Sequence, residues 1–547
     1  MGSTDNENRN VVTVHWFRHG LRLHDNPALL EGLENCQEFY PIFIFDGSVA
    51  GTKTAGYCRM QFLLESLKDL DDSLRAKGSR LYVMEGDPLQ IFPNLFEEWK
   101  VNMLTFEQDP EPIWQERDDN VKDLCDSYNV EWIERVSHTL WDPHSILKAN
   151  GGSPPLTYAM FCQVAEIVGQ PPRPVEDLDF SNVILPVSDN HDRLFGLPTL
   201  EKLEVVADCD AQKSPFCRYL GGEAKALVLL ESRLDKERKT FSIGQAQANQ
   251  MYPDLTGMPM SLSPHLRFGS LSIRKFYWAL RDAFAEIHPE SEIPLQVTSQ
   301  LVWREYFYCM SVNNPFYNRM AENPICLNID WYTDDTSLEK WTEGKTGYPF
   351  IDACMRQLKQ EGWIHQVCRH AVSCFLTRGD LWIDWQKGLE VFDRYLLDAD
   401  WSVCAGNWMW VSSSAFEKVL QCSRCICPVR YGRRMDPNGD YIRRYVPELK
   451  NIPLTYLYEP WKAPIAVQEG ANCIIGTDYP PPIVDHRAAS RDCKQKMEII
   501  KAKYKDTPHV APANEDEVIA LIWMTKDKEE NRYSCDHSEE RCNADAI

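Results

Sequence analysis

The sequence predicts an α/β protein in which a doubly wound parallel sheet is followed by a large all-helical domain and a C-terminal tail helix. Short β-rich runs alternate with amphipathic helices up to about residue 140, and helical patterns replace the strand signals beyond Leu200. From residue 506 the chain becomes polar and charged. The 547 residues, 44% of them hydrophobic, supply enough apolar side chains for several buried cores.

Repeated βα units predict the N-terminal sheet. The candidate strands are Val11–Phe17, Glu38–Phe45, Arg80–Glu85, Met103–Glu107 and Val130–Val136. The helical patterns between them are Ala28–Leu33, Cys58–Ala76 and Pro88–Trp99. This alternation implies a mostly parallel, doubly wound sheet. Because no G-x-G-x-x-G follows the first strand, we do not predict a nicotinamide site in this sheet.

The domain boundaries follow these changes in pattern. The predicted units are a disordered start at 1–10, the α/β domain at 11–140, a connector at 141–200, the helical domain at 201–505 and a tail at 506–547. The connector is rich in proline, aspartate and asparagine and has little periodicity, so we expect it to wrap the surface. In the helical domain the clearest helical patterns are Gly222–Arg238, Ile273–Ile287, Phe350–Glu361 and His365–Thr377.

Charge and cysteine usage exclude several classes of function. The chain has 58 Lys and Arg against 81 Asp and Glu, a formal charge of −23, so we expect no specific DNA binding. Polar residues 1–10 and the lack of an apolar run of roughly 18 residues predict a soluble, non-secreted protein without a membrane span. Cys422, Cys425 and Cys427 have no second Cys/His pair nearby, so no metal site is predicted.

Tryptophan is concentrated near the end of the helical domain. Trp382, Trp385, Trp401, Trp408 and Trp410 lie within 29 residues. Dense indoles can pack a core, or they can form an electron path to a redox cofactor, because indole is easily oxidised. Two aspartates, at positions 398 and 400, lie in the same stretch; they fit either a helix terminus or the polar edge of a ligand.

Several long motifs, in the same order, resemble those of the photolyase/cryptochrome flavoproteins. They are Trp16–Pro27, Trp303–Tyr306, Trp341–Pro349, Asp352–Arg356 and Asp436–Tyr441. The resemblance extends over about residues 11–505. It implies an α/β domain followed by a helical domain that binds FAD.

The resemblance also implies which residues contact the cofactor. Arg233, Ser261 and Ser263 match phosphate-side positions. The positions near the flavin and its cavity are Gln300, Arg304, Gln366, Arg369, Asp398, Ala399, Asp400 and Cys404. Pro259 and Met260 stand where many photolyases have Thr-Ser, so fewer hydroxyls are available and backbone amides are expected to contact the phosphates.

An electron path is implied in the same way. Trp408 matches the member next to the flavin, Trp385 the middle member, Trp331 the outer member and Trp382 a fourth member found in animal relatives. Cys404 stands at the position that faces flavin N5, where light-sensing insect cryptochromes have cysteine. Because a thiol is a weak acid, we expect the photoreduced flavin to remain anionic.

Two positions argue against DNA repair. Gln300 stands where pyrimidine-dimer photolyases have glutamate. Gln366 and His370 stand where (6-4) photolyases have two histidines, and glutamine cannot transfer a proton at neutral pH. The resemblance therefore favours a blue-light photoreceptor that is not an enzyme. The alternatives are a (6-4) photolyase and a light-independent, vertebrate-type repressor of clock transcription.

The tail contains one apolar segment in a polar context. Glu515–Met524 resembles the C-terminal helix of fly-type cryptochromes, in which a tryptophan fills the cavity that a lesion fills in photolyases. Trp523 is that residue here, with Leu521 and Ile522 where aromatic residues are usual. We expect photoreduction to release this tail for clock partners that resemble Timeless and ubiquitin-ligase components, in cytoplasm and nucleus.

Overall fold

The computed structural model describes residues 11–34, 36–47, 55–205, 218–245, 253–257, 260–415 and 425–504. At the N-terminus five parallel strands form a sheet in the order β3-β2-β1-β4-β5. They are β1 (Val12–Phe17), β2 (Glu38–Phe45), β3 (Tyr82–Glu85), β4 (Met103–Glu107) and β5 (Glu131–Arg135). The strand order reverses at β1, which confirms the predicted doubly wound sheet, and the predicted strand ends are correct to within two residues.

Helices cover both faces of this sheet. They are α1 (Pro27–Leu33), α2 (Tyr57–Arg75), α3 (Pro88–Trp99) and α4 (Gln115–Ser127). The leucines of α1 and α2 pack with Phe17, Phe39 and Phe43 on one face. Helices α3 and α4 pack on the other face, against Trp16 and Ile42. All six residues of β1 are buried, as expected for the central strand of a sheet covered on both sides.

The first half of the predicted connector contains helices, although its sequence shows little periodicity. It contains α5 (Pro143–Ala149) and α6 (Tyr158–Val168), and α7 (His191–Leu194) follows. Thr157 caps α6 by accepting a hydrogen bond from the Met160 amide at 3.1 Å. Phe161 of α6 belongs to the large core of the helical domain. The second half does run along the sheet, where the Phe39 amide donates to the Ile184 carbonyl at 3.0 Å.

The remaining described chain is helical, as predicted. Its helices are α8 (Glu223–Ser242), α9 (Ser263–Phe268), α10 (Ile273–Ile287), α11 (Ser299–Ser311), α12 (Asp335–Thr342), α13 (Pro349–Glu361), α14 (Gln366–Cys374), α15 (Trp385–Tyr395), α16 (Trp401–Val411), α17 (Pro428–Met435), α18 (Asp440–Tyr445), α19 (Leu454–Leu457), α20 (Ile465–Gly470) and α21 (His486–Tyr504). A π-helical turn, Phe375–Gly379, extends α14. None of the helices within the described ranges is both long and apolar enough to cross a bilayer.

The largest core of the molecule is assembled from α11, α13, α14, α15 and α16. Within α16, which carries much of the tryptophan cluster, Trp408 and Trp410 are buried. Tight packing of bulky indoles thus accounts for part of the tryptophan density. The predicted start at 1–10 and the predicted tail at 506–547 lie outside the described residues.

Candidate functional site

A cavity of about 800 Å³ lies in the helical domain, bordered by α8, α9, α11, α14 and α16. This volume falls in the range of roughly 300–1,000 Å³ that is usual for cofactor pockets. The predicted site residues in its wall are Arg233, Ser261, Ser263, Gln300, Arg304, Gln366, Arg369, Asp398, Asp400, Cys404 and Trp408. The structure therefore brings together side chains that are up to 175 residues apart in sequence.

Two aspartates fix one edge of the cavity. Asp400 caps α16, where its Oδ1 accepts a hydrogen bond from the Val403 amide at 3.0 Å, and its other oxygen accepts one from the Tyr308 hydroxyl. Asp398 pairs with Arg369 through an Nη2–Oδ2 contact of 2.9 Å. Its second oxygen, Oδ1, is buried without a partner in the described chain. Asp398 can therefore accept a hydrogen bond from a ligand.

The backbone between these aspartates is held by two buried arginines, Arg267 of α9, which also lines the cavity, and Arg59 of α2. The Ala399 carbonyl accepts hydrogen bonds from Arg267 Nε at 2.7 Å and from Arg59 Nη2 at 3.1 Å. Ala399, predicted as a cofactor contact, does not line the cavity and acts instead through this carbonyl. Arg59 comes from α2 of the α/β domain, so both domains position the acidic pair. Sequence reasoning missed both arginines.

The opposite end of the cavity is basic and rich in hydroxyl groups. Arg233 Nη2 pairs with Glu237 at 2.5 Å, and the hydroxyls of Ser261 and Ser263 are 2.7 Å apart. Lys236, which sequence reasoning also missed, lines the same end one helical turn after Arg233. Hydroxyls and cations of this kind suit a pyrophosphate. Pro259, in the predicted phosphate turn, lies outside the described residues.

Cys404 lies on α16 one turn after Asp400, and its side chain lines the cavity. Its amide donates to the Asp400 carbonyl at 2.8 Å. Burial, together with the charges of Asp393 and Asp398, raises the pKa of the Cys404 thiol well above its ordinary value. The thiol therefore keeps its proton at neutral pH. Asn407, on the next turn of α16, also lines the cavity and was not predicted.

One of the predicted electron-transfer residues lies in the cavity wall, and the other three do not line the cavity. Trp408 lines the wall and packs against Phe392, with ring centroids 5.0 Å apart. Trp385 begins α15 and is completely buried. The rings of Trp331 and Trp382 have centroids 4.7 Å apart at an angle of 47°. The structure thus pairs the two members that were predicted as the outer end of the path.

The two positions at which repair enzymes carry acids or bases also line the cavity. Gln366 Nε2 and His370 Nε2 are 2.9 Å apart on successive turns of α14. Burial, followed by the charges of Arg378 and Arg369, lowers the pKa of His370 to about 4. Gln300 projects from α11. At neutral pH neither Gln366 nor His370 is an acid in this arrangement.

Aromatic rings close the side of the cavity next to Gln300. Trp303 stacks on Tyr158 of α6 with centroids 3.7 Å apart and an interplanar angle of 6°. Trp410 packs against Trp303 at 4.8 Å. Trp303 and Trp410 line the cavity, so α6, which lies within the predicted connector, supports the wall of the site.

The polar atoms of the wall fit a bound flavin nucleotide. The buried atoms Trp303 Nε1, Trp363 Nε1, Trp408 Nε1 and Asp398 Oδ1 have no hydrogen-bond partner in the described part of the chain. All four belong to residues that line one cavity, which has a basic end and an acidic edge. Across the described ranges no cluster of ligands could hold a metal ion, although Cys422 lies outside them.

Comparisons with known proteins agree with this site. Residues 13–177 match the family described as DNA photolyase, and residues 297–499 match the FAD binding domain of DNA photolyase. Cryptochrome-1 of Aedes aegypti is 48% identical, over 94% of this chain and 99% of its own length. Cryptochrome-1 of Drosophila melanogaster is 46% identical, over 94% and 98%. Cryptochrome-1 of Gallus gallus is 47% identical, over 90% and 78%.

Solved structures share the fold. A class III photolyase from Agrobacterium tumefaciens superimposes with a TM-score of 0.73 at 27% identity, over 92% of this chain and all of that one. A Synechocystis cryptochrome superimposes with a TM-score of 0.75 over 89% of this chain and 99% of its own, and at 23% identity it supports the fold alone. The two family matches, the insect relatives and the cavity that fits FAD together show that the chain belongs to the photolyase/cryptochrome family of FAD-binding proteins.

Proposed function

We propose that this chain is a blue-light photoreceptor of the cryptochrome type, in which tryptophans supply electrons to the flavin and the C-terminal tail carries the signal. The observation that carries the proposal is the placement of Trp408 in the wall of the flavin cavity, with Trp385 buried in the same core. Bound FAD would absorb blue light and accept an electron. Residues of the protein would carry out all the other electron transfers.

Trp408 is the donor at the cavity wall. After it loses an electron, Trp385 would return it to the neutral state, and Trp331 and Trp382 would repeat the exchange further out. Trp331 and Trp382 are 4.7 Å apart between centroids, so their rings are close enough for direct exchange. Each transfer moves positive charge away from the cavity, which slows its return.

Cys404 and Asp398 determine how the cavity responds to added negative charge. The Cys404 thiol has a raised pKa because it is buried, so it does not donate its proton readily. Arg369 is already paired with Asp398. The added charge therefore stays in the cavity, where electrostatic effects are strong because water is scarce. That charge is the signal that we propose the tail detects.

The photoreceptor assignment is favoured over DNA repair by the cavity wall. Gln300 and Gln366 cannot transfer a proton, and the lowered pKa of His370 leaves its ring uncharged, so these positions supply no charged acid at neutral pH. Cryptochrome-1 of Aedes aegypti and Cryptochrome-1 of Drosophila melanogaster match this chain over 99% and 98% of their own lengths. Light-driven repair of either photoproduct in defined oligonucleotides by the purified protein would overturn this assignment.

We further propose that the tail is the output of the receptor. Leu521, Ile522 and Trp523 lie outside the described residues, and the support for their role is the apolar segment they form in a polar tail. In darkness this segment would occupy the cavity mouth, and added charge would release it. The surface that is exposed when the tail is released would then bind clock partners that resemble Timeless and ubiquitin-ligase components, in cytoplasm and nucleus.

The electron path is tested by photoreduction of the purified holoprotein. Trp408→Phe should nearly abolish light-driven loss of the oxidised flavin absorption, because it removes the donor at the cavity wall. Trp382→Phe should leave the first transfer intact and shorten the charge-separated state in transient absorption. Trp132→Phe, at a partly exposed position on β5, is the control and should behave as wild type. Equal photoreduction in Trp408→Phe and wild type would contradict the path.

The tail is tested by limited proteolysis in darkness and in blue light. Burial of an apolar side chain contributes about 1.5–3 kcal/mol, so Trp523→Ala should release the tail even in darkness. Cleavage within residues 508–524 should then be equally fast in both conditions, whereas wild type should be cleaved faster in light. Lys526→Ala is the control. If wild type is cleaved at one rate in darkness and in light while its flavin is reduced, the tail is not the output.

A further inference from the structure

Trp382, the proposed end of the electron path, is buried beneath the last described helix, α21. Only 2% of its surface is exposed, and it packs in a small apolar cluster with Ile329, Cys493 and Met497. Its indole Nε1 donates to the Asp330 carbonyl at 3.0 Å. One face of α21 therefore supplies Cys493 and Met497 to the environment of the final donor.

That face carries a cation. Lys496 Nζ lies 5.2 Å from the centre of the Trp382 ring and 4.1 Å from the centre of the Tyr332 ring. The ammonium also donates to the Tyr332 hydroxyl and to the Asp492 carboxylate. These contacts hold one positive charge over the aromatic pair at the end of the path.

A cation over an indole stabilises the neutral ring, because the ring face is electron-rich. The same cation opposes oxidation, which leaves positive charge on the ring. In the last step of the proposed path one electron passes from Trp382 to oxidised Trp331. Trp331 becomes neutral, Trp382 becomes a radical cation, and no proton moves. Lys496 disfavours this product because the new charge forms 5.2 Å from its ammonium.

We propose that Lys496 tunes the final transfer of the electron path by destabilising oxidised Trp382 relative to oxidised Trp331. This inference rests on the proposed function of the chain. As a consequence, positive charge is shared between the Trp331 and Trp382 rings. The charge-separated state then decays sooner than it would without the cation. Asp492 has the opposite effect, because its carboxylate offsets part of the ammonium charge.

The test measures the lifetime of the charge-separated state by transient absorption of the full-length holoprotein. Lys496→Gln removes the charge and should lengthen this lifetime by about tenfold, the change that corresponds to a cation–π contact of about 1.4 kcal/mol. Asp492→Asn leaves the ammonium uncompensated and should shorten the lifetime. Lys496→Arg keeps the charge and should restore a lifetime close to that of wild type.

Two controls separate charge from packing. Lys494→Gln removes a lysine from the same helix that pairs with Glu498 at 4.0 Å, and it should leave the lifetime unchanged. In a Trp382→Phe background, Lys496→Gln should have no effect, because the ring that it influences is gone. An equal lengthening with and without Trp382 would overturn the inference.

The same series distinguishes failure of this inference from failure of the proposed function. If Trp382→Phe shortens the lifetime but Lys496→Gln does not change it, the path stands and the role of Lys496 is wrong. If Trp408→Phe forms the same charge-separated state as wild type, the proposed path itself is wrong.

Discussion

Cys404 is the residue whose surroundings most directly affect the chemistry of the cavity. It lies between the fixed carboxylate of Asp400 and the amide of Asn407 on one face of α16. Burial and two nearby carboxylates keep its thiol protonated. A side chain of similar size but greater acidity at this position should change the protonation state of the reduced flavin.

Replacing Cys404 with aspartate tests this role. An aspartic acid has an ordinary pKa of about 3.9 against about 8.5 for cysteine, and burial would raise it toward neutrality, where it is a good proton donor. We expect Cys404→Asp to accumulate the neutral, one-electron-reduced flavin radical with broad red absorption under blue light, whereas wild type accumulates the anionic radical. The buried carboxyl should also cost about 1–3 kcal/mol of stability.

Cys404→Ser is the matched control, because a hydroxyl is an even weaker acid than a thiol. Its spectrum under illumination should remain that of wild type. Broad red absorption in illuminated wild type would show that a proton reaches the flavin without help from position 404, and the role proposed for Cys404 would then be wrong.

At the residue scale the sequence predicted side chains that lie within recognisable motifs and missed those that act over long distances. The predicted contacts from Arg233 to Cys404, with the exception of Ala399, meet at one cavity. Arg59 is about 340 residues from the carbonyl that it binds, and no local pattern connects the two. Lys236 could have been found, because it is one helical turn from Arg233 on the same predicted helix.

At the scale of elements, the contact between α15 and α16 positions Trp408. A Cβ atom added to Gly388 on α15 would lie 2.1 Å from Cη2 of Trp408 and 2.7 Å from Cδ2 of Leu376. Glycine at this position therefore lets the indole lie directly against the helix backbone. The orientation of Trp408 at the cavity wall depends on this close packing.

Gly388→Ala should displace the Trp408 ring. Such overpacking typically costs about 1–3 kcal/mol, and the shifted indole should photoreduce the flavin more slowly than wild type. Gly470→Ala is the control, because a Cβ atom there meets nothing within 4 Å, and it should leave both the melting temperature and photoreduction essentially unchanged. Wild-type photoreduction in Gly388→Ala, with FAD bound, would show that the packing of Trp408 against α15 is not needed.

Strands were easier to predict than the helices of the connector. Four of the five strands are largely apolar runs, and β5 has Trp132 and Ile133 at its centre, so the strand ends were correct to within two residues. Helix α6 lies among prolines and glycines, which obscured it. Its buried face, Tyr158, Phe161, Val164 and Ala165, has helical spacing, and that signal could have revealed it.

At the scale of the whole molecule, buried charges join the two domains. Arg22 in the Trp16–Pro27 motif pairs with Glu107 at 3.0 Å and donates to the Gly269 carbonyl at 2.9 Å. Asp25 of the same motif pairs with Arg274 of α10. The sequence identified this motif as an opening strand and turn. Only the structure, which brings this motif next to Gly269 and Arg274, shows that it also contacts the helical domain.

Glu111 is the member of this interface that should make stability depend on pH. Its Oε1 accepts hydrogen bonds from the amide and hydroxyl of Ser402 at 3.1 and 3.3 Å, directly after the acidic pair. Burial, followed by the charges of Asp400 and Asp109, raises the pKa of Glu111 to about 8. The folded protein therefore keeps a proton here that the unfolded chain releases at an ordinary glutamate pKa of about 4.3.

Since its pKa is raised on folding, the contribution of Glu111 is fully present below the unfolded pKa and is lost as the pH rises through about 8. Glu111→Gln can still accept both hydrogen bonds from Ser402 and cannot ionise. Between pH 5 and pH 8 the free energy of unfolding of wild type should therefore fall more steeply than that of the variant, by about 1.4 kcal/mol per pH unit. Melting temperatures of the two proteins across this range measure the difference.

Glu116→Gln, an exposed position on α4, is the control and should follow the wild-type profile. Parallel profiles for wild type and Glu111→Gln would mean that Glu111 is already ionised in the folded protein, and that a cation at the interface, with Arg267 the nearest candidate, stabilises its charge.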